Sequence, residues 1–324
     1  MPAPTALAAQ TRLPVICAPM FLVSGPELVI AQCAAGVIGT FPSLNARPQE
    51  QLHEWLERIE RGLGAARDAQ PRGSVAPYGI NLIVHPSNAR WRGDLDICAE
   101  HRAPLIITSL HAPDEVVRKA HAYGGLVFHD VTNVRHAKRA LEAGVDGLIL
   151  VAAGAGGHAG QINPIALVNE IRAFYDGPLA LSGCISHGKD VLAAQVLGCE
   201  FAYMGTRFIA TQESLAGDAY RDMVLRAQSA DIVYTPYFSG VPANYLAESI
   251  RNAGLDPQEL AQSRQAPPPN LDKNTRPKAW KDVWSAGQGV GAAQEILPVR
   301  MLVDQLEDEY LHARGQLLEA ARAF

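Results

Sequence analysis

Short apolar runs alternate with helix-period stretches along most of the chain. Apolar segments at residues 13–18, 37–40, 78–84, 105–108, 126–131, 147–151, 178–181 and 201–204 show little in–out alternation. That pattern predicts strands covered on both faces of a parallel sheet. Between them lie helix-period stretches at 26–35, 48–63, 94–101, 113–123, 134–143, 164–174 and 188–197. In the second of these, Leu52, Trp55, Leu56 and Ile59 share one helical face, which marks core contacts rather than a site. Strands joined by crossover helices predict a closed (β/α)8 TIM barrel, with an open doubly wound sheet as the competing arrangement. The first strand–helix turn, Ala18-Pro19-Met20, lacks the G-x-G-x-x-G of a dinucleotide-binding unit and speaks against the open sheet.

The rhythm breaks at residues 212–283. Helical pieces at 217–228 and 243–253 precede a polar stretch, 265–281, that contains Pro267-Pro268-Pro269. The expected organisation is a barrel of residues 1–211 plus 284–324, with 212–283 an inserted, mostly helical lid before the last barrel helix. That helix is expected from near Gly289 toward Phe324. It either finishes the barrel or supports a homodimer.

Composition narrows the class. At 324 residues and 48% hydrophobic the chain can build one large barrel, and intrinsic disorder is excluded. The 28 basic against 33 acidic residues give a net charge of −5, with no basic block. Neither nucleic acid nor a membrane surface is therefore the expected partner, which leaves a small molecule. No apolar run reaches the ~20 residues of a bilayer span, and Met1–Gln10 lacks the basic start of a secretory signal. Five cysteines (Cys17, Cys33, Cys98, Cys184, Cys199) form no C-x-x-C pair, so a reducing cytoplasm fits and a zinc site does not. No H-E-x-x-H or acidic cluster signals any other metal.

In a barrel of this kind the chemistry belongs to the loops at the C-terminal ends of the strands. Ser182-Gly183-Cys184 and Tyr203-Met204-Gly205-Thr206 stand after the seventh and eighth strands, where such barrels commonly bind phosphate. Gly183 and Gly205 let backbone N–H groups approach an anion, and Thr206 adds a hydroxyl that can cap a short helix. Asn81 is a polar residue in an apolar strand. Its amide either bonds the backbone internally or meets a polar heterocycle. His158, in Ala155-Gly156-Gly157-His158, sits on the loop after the sixth strand and suits proton transfer or anion orientation. His129 ends the fifth strand, with a structural or cofactor-facing role. Tyr234, Tyr237, Phe238 and Tyr245 of the insertion either wall a substrate pocket or pack the lid.

Taken together, Ala18-Pro19-Met20, Gly79-Ile80-Asn81, Ala155-Gly156-Gly157-His158, Ser182-Gly183 and Met204-Gly205-Thr206-Arg207-Phe208 resemble the nitronate monooxygenase family, formerly called 2-nitropropane dioxygenases. Trp284-Ser285-Ala286-Gly287-Gln288-Gly289 adds to the resemblance, which runs from residue 13 to about 291. It implies an FMN-dependent, metal-free flavoprotein that oxidises alkyl nitronates, or a nitroalkane, with O2 to a carbonyl compound and nitrite. By the same resemblance His158 is the active-site histidine and Met20 lies against the flavin. The FMN contacts implied are Ala18, Pro19, Met20, Asn81, His129, Gly156, Gly157, Ser182, Gly183, Cys184, Tyr203, Met204, Gly205 and Thr206, with Ser285, Gly287 and Gln288 closing over the cofactor. The commonest family pattern has Gln, Glu, Gln and Gly where this chain has Val151, Gly154, Tyr203 and Cys184. Related functions on the same fold are NAD(P)H:quinone and enoyl reductases, and a flavin-binding module without turnover.

Overall fold

In the computed structural model, residues 7–70, 74–262 and 277–322 are described. Eight parallel strands form the central sheet: β1 Val15–Cys17, β2 Gly39–Pro42, β3 Tyr78–Val84, β4 Leu105–Leu110, β5 Leu126–Val131, β6 Gly147–Val151, β8 Leu179–Ser182 and β9 Phe201–Met204. Their spatial order is β1-β9-β8-β6-β5-β4-β3-β2. A single bridge, Ile16 to Ile38, joins the two outer strands and closes the barrel. The open-sheet alternative is thereby excluded.

Helices cover the outside: α1 Pro26–Ala34, α2 Gln51–Ala69, α3 Trp91–Glu100, α4 Asp114–Tyr123, α5 Val134–Glu142, α6 Pro164–Arg172 and α7 Gly188–Val196. The final helix, α12 Val299–Arg322, packs on α7 and α1. Its contact with α7 is close enough that a Cβ on Gly188 would lie 1.9 Å from the Leu306 carbonyl oxygen. No described helix is long and apolar enough to cross a membrane.

The pleat sorts side chains into two layers, because successive strand residues point to opposite faces. Ile16, Ile38, Leu105, Ile107, Phe128, Ile149, Ala180 and Phe201 fill the barrel axis. Leu82, Ile106, Val127, Leu148, Leu150, Leu181 and Met204 face the helices. Carrying the same parity to the upper strand ends turns Asn81, Ser109, Asp130, Val151, Ser182 and Tyr203 toward the axis. Met204 and His129 then face outward.

The insertion differs from expectation. After the short α8 Thr206–Ile209, the insertion carries α9 Asp218–Arg226, α10 Ala247–Asn252 and α11 Pro257–Gln262, and with them β10 Ile232–Thr235 and β11 Ala243–Leu246. These strands pair antiparallel, and β11 also pairs with the two-residue β7 Gly157–His158 from the loop after β6. The insertion therefore adds two strands to its helices. The helix expected over 243–253 begins only at Ala247, because pairing on both sides extends Ala243–Leu246. Residues 288–292 form a single 3-10 turn, and the last helix starts ten residues later than expected, directly after Pro298. Residues 263–276, with the three prolines, lie outside the described residues.

Candidate active site

A cavity of about 1130 Å³ opens at the C-terminal end of the barrel. On one side it is bounded by the turn after β8, where Gly183, Cys184, Ile185 and Ser186 carry their backbone along the wall. Gly183 has φ 129°, and a Cβ there would stand 2.6 Å from the Ala153 carbonyl oxygen. Cys184 is likewise left-handed, at φ 58°, so the turn holds two residues in a region ordinary side chains disfavour. Gly205 and Thr206 follow on the adjacent strand end. Thr206 does not cap α8. Its hydroxyl oxygen accepts from the Gly287 N–H at 2.9 Å, which anchors the late glycine segment to the cradle.

That segment ties loops together. Gln288 N–H donates to the Gly154 carbonyl, Ser285 Oγ accepts from Gly157 N–H at 2.7 Å, and Ser285 Oγ donates to the Asn244 carbonyl at 2.5 Å. Asn244 Nδ2 in turn donates to Ala155 at 2.6 Å. Gly287 is required here, since a Cβ would meet the Gly154 oxygen at 2.7 Å. Gly154, one of the departures from the family pattern, has φ 84° and leaves room for Cys184 Sγ, which lies 2.3 Å from where a Cβ would be. Gly154 and Cys184 are thus sterically matched in this chain.

Opposite the cradle stands His158. Its Nε2 is 3.0 Å from Ser239 Oγ. Ser239 Oγ also lies 2.8 Å from the Val241 carbonyl oxygen, so the serine ties the imidazole to its own loop. The Trp280 ring sits edge-on to the imidazole at 5.1 Å, and desolvation lowers the His158 pKa although one edge of the residue stays exposed at the mouth. Trp280 holds a left-handed backbone at φ 63°, an uncommon position for a bulky residue and one found where a site over-determines the chain.

The third wall is polar. Ser109 Oγ donates to Asp130 Oδ2 at 2.6 Å, so the Ser109 oxygen accepts from Asn81 Nδ2 at 2.9 Å. Asn81 Nδ2 also donates to the Ile107 carbonyl at 3.3 Å, which fixes the amide orientation. The donor end of Asn81 is therefore used internally, and only its carbonyl oxygen is available to a ligand. Asp130 Oδ1 is shut off from solvent and accepts no hydrogen bond among the described residues. Burial raises this carboxyl to about 6, against a partial opposing effect of Ser109. His129 faces outward, bonded to Thr108 at 2.8 Å, and burial together with His136 lowers it to about 4.

Most residues expected at the site line this cavity: Ala18, Pro19, Met20, Asn81, Gly156, Gly157, His158, Ser182, Gly183, Cys184, Tyr203, Gly205, Thr206, Ser285 and Gly287. Met204 does not, because the pleat turns it into the helix layer. Gln288 is also absent from the lining, although its flanking glycines are part of it. His129 borders the cavity on its α5 side rather than from the axis. Of the four insertion aromatics only Tyr234 reaches the wall, donating its hydroxyl to the Ala159 carbonyl at 2.9 Å. Tyr237, Phe238 and Tyr245 pack with one another in the lid core, Phe238 and Tyr245 with ring centroids 4.8 Å apart. Asp130, Ser239 and Trp280 were not anticipated. For Asp130 a signal existed: it stands two residues after Phe128 and so shares its axial face.

Among the described residues, no group of three or more His, Cys, Asp or Glu is placed to hold a metal. The cavity suits a phosphate-bearing cofactor instead. Its glycine cradle, with positions that a Cβ would fill, offers backbone to a phosphate, and the polar shelf above the barrel axis offers acceptors to a heterocycle.

The comparisons agree with this geometry. The family model for nitronate monooxygenase matches residues 5–309. A nitronate monooxygenase of Paraburkholderia phytofirmans is 26% identical, the alignment covering 95% of each chain. A Rhodococcus jostii dehydrogenase, named for an indene-carboxyl-CoA substrate, is 27% identical over 74% of this chain and 64% of its own length. Among solved structures, nitroalkane oxidase from Streptomyces ansochromogenes superposes with TM-score 0.77 at 23% identity, covering 96% of this chain and 99% of that one. FabK from Thermotoga maritima gives TM-score 0.76 at 22% identity, covering 97% and 98%. At these identities the two structures establish the shared barrel. With a family match over nearly its whole length, the chain belongs to the nitronate monooxygenase family of oxidoreductases.

Proposed function

We propose that the protein is an FMN-dependent monooxygenase that oxidises alkyl nitronates with O2 to a carbonyl compound and nitrite. The observation that carries this reading is the pairing of a glycine cradle with His158 across one cavity. The turn at Gly183–Ile185 and the Gly205-Thr206 pair would hold the phosphate. The Asn81 carbonyl oxygen and the Ala18-Pro19-Met20 turn would meet the ring system. Bound FMN supplies the electron acceptor that no side chain here can provide, and O2 is the terminal oxidant.

The remaining chemistry belongs to the chain. His158 Nδ1 accepts a proton, from solvent or from the α-carbon of a neutral nitroalkane, and the resulting imidazolium pairs with the nitronate anion. Ser239 braces the opposite ring nitrogen, Nε2, at 3.0 Å. Trp280 covers the imidazole and keeps water from its face. The lowered pKa keeps His158 a free base at neutral pH, ready to take the proton.

A second reading keeps the barrel and FMN but makes the protein an NAD(P)H:quinone or enoyl reductase. One observation favours it: the cavity continues past the mouth to α5, farther than a small nitronate requires. An anaerobic titration separates the two. Bleaching of the flavin absorbance by propyl-2-nitronate, and not by NADH or NADPH, is expected. Bleaching by the nicotinamide alone would transfer the assignment to the reductase, and protein without a flavin band would overturn the cofactor assignment.

A further inference from the structure

The cavity is larger than the ~300–1000 Å³ of ordinary small-molecule pockets. The excess runs outward from the barrel mouth over the β5–α5 loop, past Thr132 and Asn133, to Arg135, His136 and Arg139. Asp130 is the only carboxylate among the residues lining the whole cavity, in a chain whose net charge is −5. The outer arm is cationic against that background. The first turn of α5 carries no acidic residue, where helices ordinarily favour one.

Arg135 and Arg139 stand four residues apart on one helical face, an arrangement of like charges that costs stability unless an anion sits between them. The guanidinium groups of Arg12, Arg90, Arg92, Arg172, Arg221 and Arg226 each meet a carboxylate, whereas among the described residues others such as Arg47, Arg102 and Arg207 do not. Among the described residues neither Arg135 nor Arg139 has such a partner. The backbone of the helix end is not what the arm offers, because Asn133 Oδ1 already accepts from the His136 N–H at 2.9 Å. The side chains are. Burial lowers the His136 pKa and the two arginines add to that; burial likewise lowers His129 on the cavity wall, with His136 adding a smaller effect.

We propose that Arg135, His136 and Arg139 bind the terminal phosphomonoester of an elongated substrate or co-substrate whose reactive end reaches the barrel mouth. Two guanidinium groups one helical turn apart suit a dianion, their forks matching phosphate oxygens bidentately, with the His136 imidazole beside them. Two soluble carriers present this group on an adenosine: NADPH on the 2′ oxygen and coenzyme A thioesters on the 3′ oxygen. The proposal rests on the barrel mouth being the FMN site and names the class of molecule that approaches it.

The test is calorimetric titration of the flavin-loaded protein with 2′,5′-ADP, 3′,5′-ADP and, as the phosphate-free probe, adenosine. At least one bisphosphate is expected to bind tenfold or more tighter than adenosine. The double variant Arg135→Ala/Arg139→Ala is expected to lose that tenfold while keeping the flavin absorbance and melting temperature of the parent. A preference for the 2′ isomer assigns NADPH as the source, and a preference for the 3′ isomer assigns a coenzyme A ester. Bisphosphates that bind no better than adenosine, or equally well to the double variant, overturn the proposal. Flavin-free protein would sink the cofactor reading, whereas the titration would still decide the arm, whose residues belong to the chain itself.

Discussion

The two sides of the cavity are built on different principles. The cradle side comes from consecutive residues at two neighbouring strand ends, Ser182 to Ser186 and Tyr203 to Thr206, held by parallel pairing of β8 with β9. The histidine side is assembled from distant segments. His158 pairs with Ala243, its neighbour Gly157 bonds Ser285, and its ring faces Ser239 and Trp280. One side is therefore as rigid as the barrel, whereas the other depends on the insertion docking correctly. A cofactor site can tolerate little adjustment, and a substrate site can be retuned by changing a loop without disturbing the sheet.

The largest expected effect tests the histidine side alone. His158→Asn should lower turnover of a nitronate roughly 100-fold, by removal of the acid–base group, while the flavin spectrum is unchanged. Steady-state rates equal to the parent would remove His158 from the chemistry.

Asp130, on the rigid shelf, should be visible as a pH effect on stability. Its carboxyl rises on folding from the ordinary 3.8 to about 6, so the folded state holds a proton that the unfolded state releases. The penalty is absent below the unfolded value, grows as pH rises between the two, and is complete above about 6. Asp130→Asn should therefore stabilise the protein by about 3 kcal/mol at pH 7.5, an advantage that fades toward pH 4. His129 works in the opposite sense, since its folded pKa falls to about 4 and acidification below its ordinary 6.5 destabilises. The parent should thus show a weaker acid dependence than the variant. Denaturant titrations at the two pH values read both, and a variant no more stable than the parent at pH 7.5 would refute the buried charge.

Gly183→Ala breaks the cradle. The added Cβ meets the Ala153 oxygen and a disfavoured φ, with an expected loss of about 1–3 kcal/mol and weaker flavin retention on dialysis. Flavin content and stability both equal to the parent would show that the turn has another conformation.

Ser239→Ala should give the smallest change, about 1 kcal/mol or several-fold in turnover, together with a shift in the pH–rate profile. The profile is the informative readout, because a merely structural serine would leave the His158 titration where it was. Of the two variants on the substrate side, this one and His158→Asn should leave flavin binding intact, whereas Gly183→Ala should not. That contrast is the division of labour between the two walls.

Much of this site was legible along the chain, for reasons tied to particular residues. The barrel strands are continuous apolar runs because both faces are covered, and the loop glycines at 183 and 205 mark where backbone must come close. At Ala243–Leu246 the local pattern suggests helix, but strand pairing is supplied by β10 and by Gly157-His158 from far away in the sequence. Tyr237, Phe238 and Tyr245 were equally consistent with a pocket wall or a lid core, and only packing turned them inward on one another. Met204 and His129 stood at the right strand ends but on the outer face.

The sequence by itself determined the family, the barrel and the glycine cradle, since these follow from local periodicity and from motifs a few residues long. Tertiary structure alone decided the Ser239 contact of His158, the orphaned oxygen of Asp130, the cover of Trp280 and the cationic arm at α5. Each depends on which atoms from separate segments meet, and hydrogen-bond direction and desolvation are properties of that meeting.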